Sequence, residues 1–160
     1  MRRMQLWLGV FALSFVALAA CSKTAEKGAS EEATKRSAAD LENLDPRSLY
    51  DVVLEAPETL AAGESGTVTL AIRPKDGAEV KPETPLRASL ESRGAIRAEK
   101  ERLSYADHAR VEGKGPVFEI PVRGEEAGQG ELGVDLDFYV CIAELCMKTA
   151  EKLAVTAQVQ

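Results

Sequence analysis

Cysteine, histidine and tryptophan are scarce in this 160-residue chain, which has three Cys, one His and one Trp. Zinc and similar metals are bound mainly by Cys and His side chains, so little is available for a metal site. The sequence also lacks a Ser-His-Asp arrangement, a phosphate-binding glycine loop and a dinucleotide-binding fingerprint. We therefore predict no metal and no cofactor, and we expect neither a hydrolase nor a small-molecule enzyme.

Positive charge is also in deficit. The chain has 20 Lys and Arg against 26 Asp and Glu, which gives a formal net charge of −6. Proteins that bind nucleic acid need a positive surface to neutralise phosphates. We therefore predict no nucleic-acid partner.

The N-terminal segment is typical of an exported protein. Two arginines precede the apolar run Leu6–Ala17, which is too short to cross a bilayer as a helix. The run leads into Leu18–Cys21 (LAAC), which resembles the lipobox at which bacterial lipoproteins are acylated and cleaved. We predict a signal peptide at residues 1–20 and a lipidated Cys21 that attaches the chain to a membrane. A secretory leader with an incidental Cys21 is the alternative.

The segment after the leader is polar. Ser22 follows Cys21, whereas an Asp there would favour the inner membrane, so we expect a periplasm-facing anchor in the outer rather than the inner membrane. Residues 21–47 are rich in Lys, Glu, Ala, Ser and Thr, with almost no large apolar residue before Leu41. Such a stretch cannot bury enough surface to offset chain ordering. We predict a flexible tether at 21–47 and one folded domain at 48–160.

The remainder of the chain alternates apolar and polar residues between Gly and Pro turns, which is typical of β-strands. The predicted strands are Tyr50–Leu54, Thr67–Arg73, Leu86–Glu91, Ile96–Leu103, Val117–Val122, Leu132–Val140 and Leu153–Val159. About seven or eight short strands with frequent turns favour two packed sheets. The predicted fold is all-β, an immunoglobulin-like antiparallel β-sandwich.

The candidate chemistry is the pair Cys141 and Cys146, which brackets a turn between the last two strands. The strand alternation places both sulfurs on the same, solvent-facing side of a hairpin. In the loop-entropy model, a bridge closing so few residues contributes roughly 2 kcal/mol to the free energy of unfolding. It therefore stabilises the fold little and is a candidate redox switch. Exchange would proceed through a mixed disulfide with another thiol protein. The pattern favours neither cysteine as the one attacked.

The cysteine hairpin, Gly128–Val159, resembles the end of the N-terminal periplasmic domain of the DsbD thiol:disulfide interchange reductase family. Pro74–Leu90 is similar to a strand-turn-strand segment of that family, and Val117–Val122 is similar to a later strand. The resemblance implies an immunoglobulin-like domain in which Cys141 and Cys146 relay electrons with a thioredoxin-like or other periplasmic thiol protein. It implies a thiol-disulfide oxidoreductase or electron-relay domain carried as a lipoprotein.

Three features differ from that family, and other interpretations of the cysteines stay open. Four residues separate the cysteines here, where the best-known members have five, and Met147-Lys148 stands where those members carry an aromatic residue and prolines. No cap loop over the pair is identifiable in the sequence. The main alternative is a binding or scaffold lipoprotein in which Cys141 and Cys146 form a structural disulfide. A Cu(I) site formed with Met147 is a further alternative, but it needs reduced thiols in an oxidising compartment.

Three other polar residues have simple structural explanations. His108 lies in a polar stretch and is expected to be a solvated side chain rather than a proton carrier for the cysteines. Asp135 and Asp137 could act as paired carboxylates, but outward positions on a half-buried strand explain them better.

Overall fold

The computed structural model describes residues 43–75 and 77–160. The predicted signal peptide, Cys21 and the tether as far as residue 42 lie outside the described residues. Short 3-10 helices span Pro46–Leu49 and Tyr105–Asp107. The strands are β1 (Tyr50–Glu55), β2 (Thr59–Leu60), β3 (Ser65–Pro74), β4 (Arg87–Gly94), β5 (Ile96–Ala98), β6 (Arg102–Ser104), β7 (Arg110–Glu112), β8 (Gly115–Gly124), β9 (Gly128–Ile142) and β10 (Leu145–Val159). No helix in this part of the chain is long and apolar enough to span a membrane.

The strands form two five-stranded sheets. One has the order β1-β3-β8, with β5 and β7 both paired to the far edge of β8. The other has the order β2-β10-β9-β4-β6. All pairs are antiparallel except β2, which runs parallel to the end of β10. In immunoglobulin domains, strands A-B-E-D face strands G-F-C with an added C′ edge, which is the order seen here. The predicted immunoglobulin-like antiparallel β-sandwich is confirmed.

The core lies between the inward faces of the two sheets. Phe118 of β8 and Phe138 of β9 are the largest of its fully buried side chains. Aliphatic residues at alternate positions surround them, as the period of two along a strand requires. The best-buried aliphatic side chains include Val68, Leu70, Ile72, Ile120, Val122, Leu132 and Leu136.

The bounds of the predicted strands differ from the structure by a few residues, and two of these strands differ more. The predicted strand Ile96–Leu103 is divided, because β5 pairs with β8 in one sheet and β6 pairs with β4 in the other. The charged residues Glu99, Lys100 and Glu101 lie between them, where the chain crosses from one sheet to the other. The last strand begins at Leu145, well before the predicted start, and it pairs with β9 without a bulge.

Tyr50, the first residue of β1, joins the two sheets at one edge of the sandwich. Its ring packs edge-on against Phe138 with ring centroids 4.9 Å apart. Its hydroxyl lies 2.6 Å from Thr149 Oγ1 and donates to Glu151 Oε1 at 2.7 Å. Thr149 and Glu151 lie on the inward side of β10, where they interrupt the apolar alternation. This polar contact explains why the sequence pattern placed the start of the last strand too late.

Replacement of Tyr50 by phenylalanine tests this contact. Tyr50→Phe is expected to lower the free energy of unfolding by about 1.5–3 kcal/mol at pH 7, because the Glu151 carboxylate loses a hydrogen-bond donor. Urea denaturation measures the change. Tyr139→Phe is the matched control, since the half-buried Tyr139 hydroxyl has no hydrogen bond within the described residues. Equal stability of the two variants would contradict the assignment.

The same contact predicts a dependence on alkaline pH. Burial raises the pKa of the Tyr50 hydroxyl from 10.0 to about 12. The folded state therefore holds this proton more tightly than the unfolded state. The stabilisation is fully present below pH 10 and is lost as the pH rises to about 12, so the stability difference between wild type and Tyr50→Phe should shrink across that range. A difference that stays constant up to pH 12 would be inconsistent with this contact.

Candidate functional site

The cysteine pair lies at the end of the β9–β10 hairpin. Cys141 is directly opposite Cys146, their Cα atoms are 4.0 Å apart, and the two residues form a disulfide. The turn between the strands consists of Ala143 and Glu144. Residues opposite each other in adjacent antiparallel strands have side chains on the same face of the sheet. The prediction that both sulfurs lie on one side of a hairpin is therefore correct.

The prediction that both cysteines face solvent is wrong for Cys141. Cys141 is fully buried at 0% exposure, whereas Cys146 is partly exposed. The reason is a backbone segment that packs alongside the end of β9, beyond the point where β4 pairs with it. Glu79 forms an isolated bridge with Cys141, in which each residue donates its N–H to the other's carbonyl oxygen at 2.8 Å.

This covering segment was missed in the sequence. Glu79 lies in the connection between β3 and β4, between the buried residues Ala78 and Val80. The apolar, polar, apolar order of these three residues is a weak strand signal that could have indicated a paired segment. Its partner could not be identified from the sequence, because the pairing with β9 joins distant parts of the chain. The segment encloses one side of the disulfide.

The face of the sheet beside the pair is charged. Asp135 and Asp137 point outward on β9 and form ion pairs with Lys152 at 3.0 Å and Lys148 at 3.5 Å. These contacts agree with outward polar positions for both aspartates. A groove of about 200 Å³ includes Asp137 and Lys148, and its lining consists of Pro85, Arg87, Asp137, Phe138, Tyr139 and Lys148. Neither cysteine lines it.

Two other sequence candidates are not brought to the sulfurs. His108 is held at the end of a 3-10 helix, with Nδ1 2.7 Å from the carbonyl oxygen of Tyr105. Met147 packs against the core. Because neighbouring residues of a strand point to opposite faces, its side chain lies across the sheet from that of Cys146. The three-ligand Cu(I) set is not assembled in this structure.

The comparisons with known proteins concern the fold. No protein-family model matches the sequence, and no curated protein matches it. Native alpha-2-macroglobulin from Escherichia coli, in the part from domain MG7 to the C-terminus, has 16% identity and a TM-score of 0.43, over 69% of this chain and 16% of that chain. The chain thus spans a small part of that protein.

Two whole small structures are also similar. WR4, a Caenorhabditis elegans MSP family member, has 12% identity and a TM-score of 0.36, over 69% of this chain and 100% of that chain. Murine CRIg has 8% identity and a TM-score of 0.33, over 69% of this chain and 98% of that chain. Identities this low concern the fold alone.

The turn next to the pair has one strained residue. Ala143 has a φ of 50°, a conformation that costs residues other than glycine about 1–2 kcal/mol. Ala143→Gly relieves this strain but makes the unfolded chain more flexible, so we expect a net gain of about 0.5–1 kcal/mol in unfolding free energy.

Glu144→Gly is the matched control for this substitution. Glu144 is the other turn residue and has no positive φ, so glycine should destabilise the protein there. Thermal denaturation of the oxidised variants measures both effects. Loss of stability in Ala143→Gly would contradict the turn geometry.

Proposed function

We propose that this chain is a lipid-anchored protein of the bacterial outer membrane whose domain exchanges disulfides with a periplasmic thiol protein. The pair Cys141 and Cys146 is its reactive site. The leader ending in Cys21 supports the anchor, and export supports an oxidised pair. The resemblance of Gly128–Val159 to the DsbD N-terminal domain supports the exchange.

The observation that carries the proposal is the unequal exposure of the two cysteines. Cys146 is partly exposed, so a thiolate of another protein can reach its sulfur. Cys141 is fully buried beside Glu79, so its sulfur is protected from the same attack. This difference supports Cys146 as the attacked cysteine and Cys141 as the cysteine that leaves, or that resolves the mixed disulfide in the reverse direction.

The exchange proceeds in two thiol-disulfide exchange steps. The partner thiolate attacks Sγ of Cys146, the intramolecular S–S bond breaks, and Cys141 leaves as a thiolate that takes up a proton. A second thiolate of the partner then attacks the partner's own sulfur in the mixed disulfide and releases Cys146. The partner is oxidised and this chain is reduced; electrons flow the other way when the steps run in reverse.

The fold can tolerate this cycle. The bridge closes a loop of only a few residues, so it contributes roughly 2 kcal/mol in the loop-entropy model. The hydrophobic core between the sheets is formed by other residues, among them Phe118 and Phe138. We therefore expect the reduced domain to stay folded.

The second candidate function is a binding or scaffold lipoprotein with a structural disulfide. The full burial of Cys141 and its two hydrogen bonds with Glu79 favour it, because inert bridges are commonly enclosed. The reduction potential of the pair separates the two functions. A potential between about −270 and −120 mV supports exchange, and a potential below about −300 mV supports a structural bridge.

Alkylation of the reduced protein tests the assignment of roles. In a chain that begins at Ser22, iodoacetamide should modify Cys146 at least tenfold faster than Cys141, because only Cys146 is exposed. Peptide mass spectrometry measures both rates. Cys141→Ser should trap mixed disulfides with periplasmic thiol proteins, and Cys146→Ser, its matched control, should trap none. Faster alkylation of Cys141 would reverse the roles.

A further inference from the structure

One edge of the sheet that carries the disulfide is open. β10 pairs with β9 over its whole length, but on its other side β2 pairs only with Gln158 and Val159. Within residues 43–75 and 77–160, no strand pairs with the earlier part of that side, residues 145–157. Side chains of Arg47 and Tyr50 reach Glu151 there, but they use no backbone group of β10. Proteins usually keep their edge strands short, cover them or protect them with charges, because unpaired backbone groups attract another strand. This edge is long.

The phase of the hairpin shows which backbone groups face this open edge. Cys141 directs its N–H and C=O groups to Glu79, away from Cys146, so these two cysteines form a non-hydrogen-bonded pair. Cys146 therefore directs its own backbone groups away from β9, as does every second residue after it. The N–H of Gln158, in the same phase, donates to the carbonyl oxygen of Glu58 at 3.2 Å. The residues that share this phase are Cys146, Lys148, Ala150, Lys152, Ala154 and Thr156.

The side chains of the edge are suited to an added strand. Met147, Leu153 and Val155 point inward and pack against the core, yet each remains partly exposed at the rim of the sandwich. An extended segment placed beside β10 would cover them with its own apolar residues at alternate positions. Lys148 and Lys152 lie on the other face, where their ammonium groups pair with aspartates of β9.

The disulfide lies beside this edge, because Cys146 is on β10. Disulfide exchange requires the attacking sulfur to approach in line with the S–S bond that breaks. Cys146 is on β10, beside the open edge, and Cys141 is on β9, with β10 on one side and Glu79 on the other. An attack on Cys146 from the side opposite β9 would therefore come across the open edge, whereas an attack on Cys141 from the side opposite β10 would meet the Glu79 backbone, which is hydrogen-bonded in place. The open edge is thus the side from which Cys146 can be attacked.

We propose that the edge of β10 receives an extended segment of the thiol partner as an additional antiparallel strand, with the partner's cysteine opposite Cys146. Backbone hydrogen bonds to Lys148 and Ala150 set the register, and apolar residues of the segment cover Met147. The partner thiolate then attacks Sγ of Cys146 in line, and Cys141 leaves as a thiolate that takes up a proton. This inference rests on the proposed disulfide exchange.

A second copy of this chain is a less suitable occupant. Antiparallel pairing of two β10 strands centred on Ala150 would set Lys148 of one copy against Lys152 of the other. Like charges directly opposite each other destabilise a strand pair. The state of association is therefore one outcome of the test below.

The test uses the oxidised mature chain with Cys21→Ser, so that Cys141 and Cys146 are its only cysteines. The probes are the N-acetylated peptide Thr-Val-Glu-Val-Cys-Thr, the same acetylated peptide N-methylated on its Glu and first Thr, and glutathione. The two methylated residues face Lys148 and Ala150 in the proposed register, and methylation removes their N–H donors. Mass spectrometry after an acid quench measures mixed-disulfide formation at Cys146. The unmethylated peptide should react at least tenfold faster than the methylated one.

A variant of the protein tests the same hydrogen bonds from the other side. Ala150→Pro removes an N–H that faces the open edge and is not used within the sheet, so the fold should tolerate it. It should reduce the advantage of the unmethylated peptide without abolishing it, because the bonds to Lys148 and to the carbonyl oxygen of residue 150 remain. It should leave the glutathione rate unchanged. Ala150→Ser keeps the N–H and is the matched control. Circular dichroism verifies that both variants are folded.

The outcomes separate this inference from the function on which it rests. Equal rates for the two peptides, with glutathione still reacting, would overturn edge docking and leave disulfide exchange intact. If no probe opens the pair, both proposals fail. Light scattering that shows a dimer of the Cys21→Ser chain, converted to monomer by Ala150→Pro, would assign the edge to a second copy and overturn docking of a partner segment.

Discussion

The register of the β9–β10 hairpin determines which side chains of these two strands enter the core and sets Cys141 opposite Cys146. A slip of one residue would move every side chain of one strand to the opposite face of the sheet. It would expose the apolar set centred on Phe138 and separate Cys141 from Cys146. The two-residue turn and the continuous pairing from Leu145 to Val159 hold one register. The core and the candidate site are therefore determined by the same pairing.

The sequence predicted most of the fold because alternation is a local signal. The faces of β3, β8 and β9 follow from the apolar positions of each strand, and the common face of the two cysteines follows from the phase of the hairpin. The burial of Cys141 was not predictable in this way. It depends on Glu79, which pairs with β9 from a distant part of the chain, and alternation within one strand carries no information about such a neighbour.

The early start of β10 shows the same limit. Thr149 and Glu151 are polar at inward positions, so the local pattern indicated the end of a strand. In the folded chain, the Tyr50 hydroxyl bonds to both of them, which makes polar side chains acceptable at this edge of the sandwich. The immunoglobulin-like order of the strands brings Tyr50 there, and that order is a property of the whole chain rather than of either segment.

The two cysteines also differ in how firmly their strands are held. Cys141 is on a strand with hydrogen-bonded neighbours on both sides, β10 on one and Glu79 on the other. Cys146 is on a part of β10 that is bonded on one side only within the described residues, because β2 pairs only with Gln158 and Val159. When the sulfurs separate on reduction, the displacement falls on the strand with fewer restraints. Opening of the disulfide would thus be confined to the rim of the domain, and the packed interior would not need to rearrange.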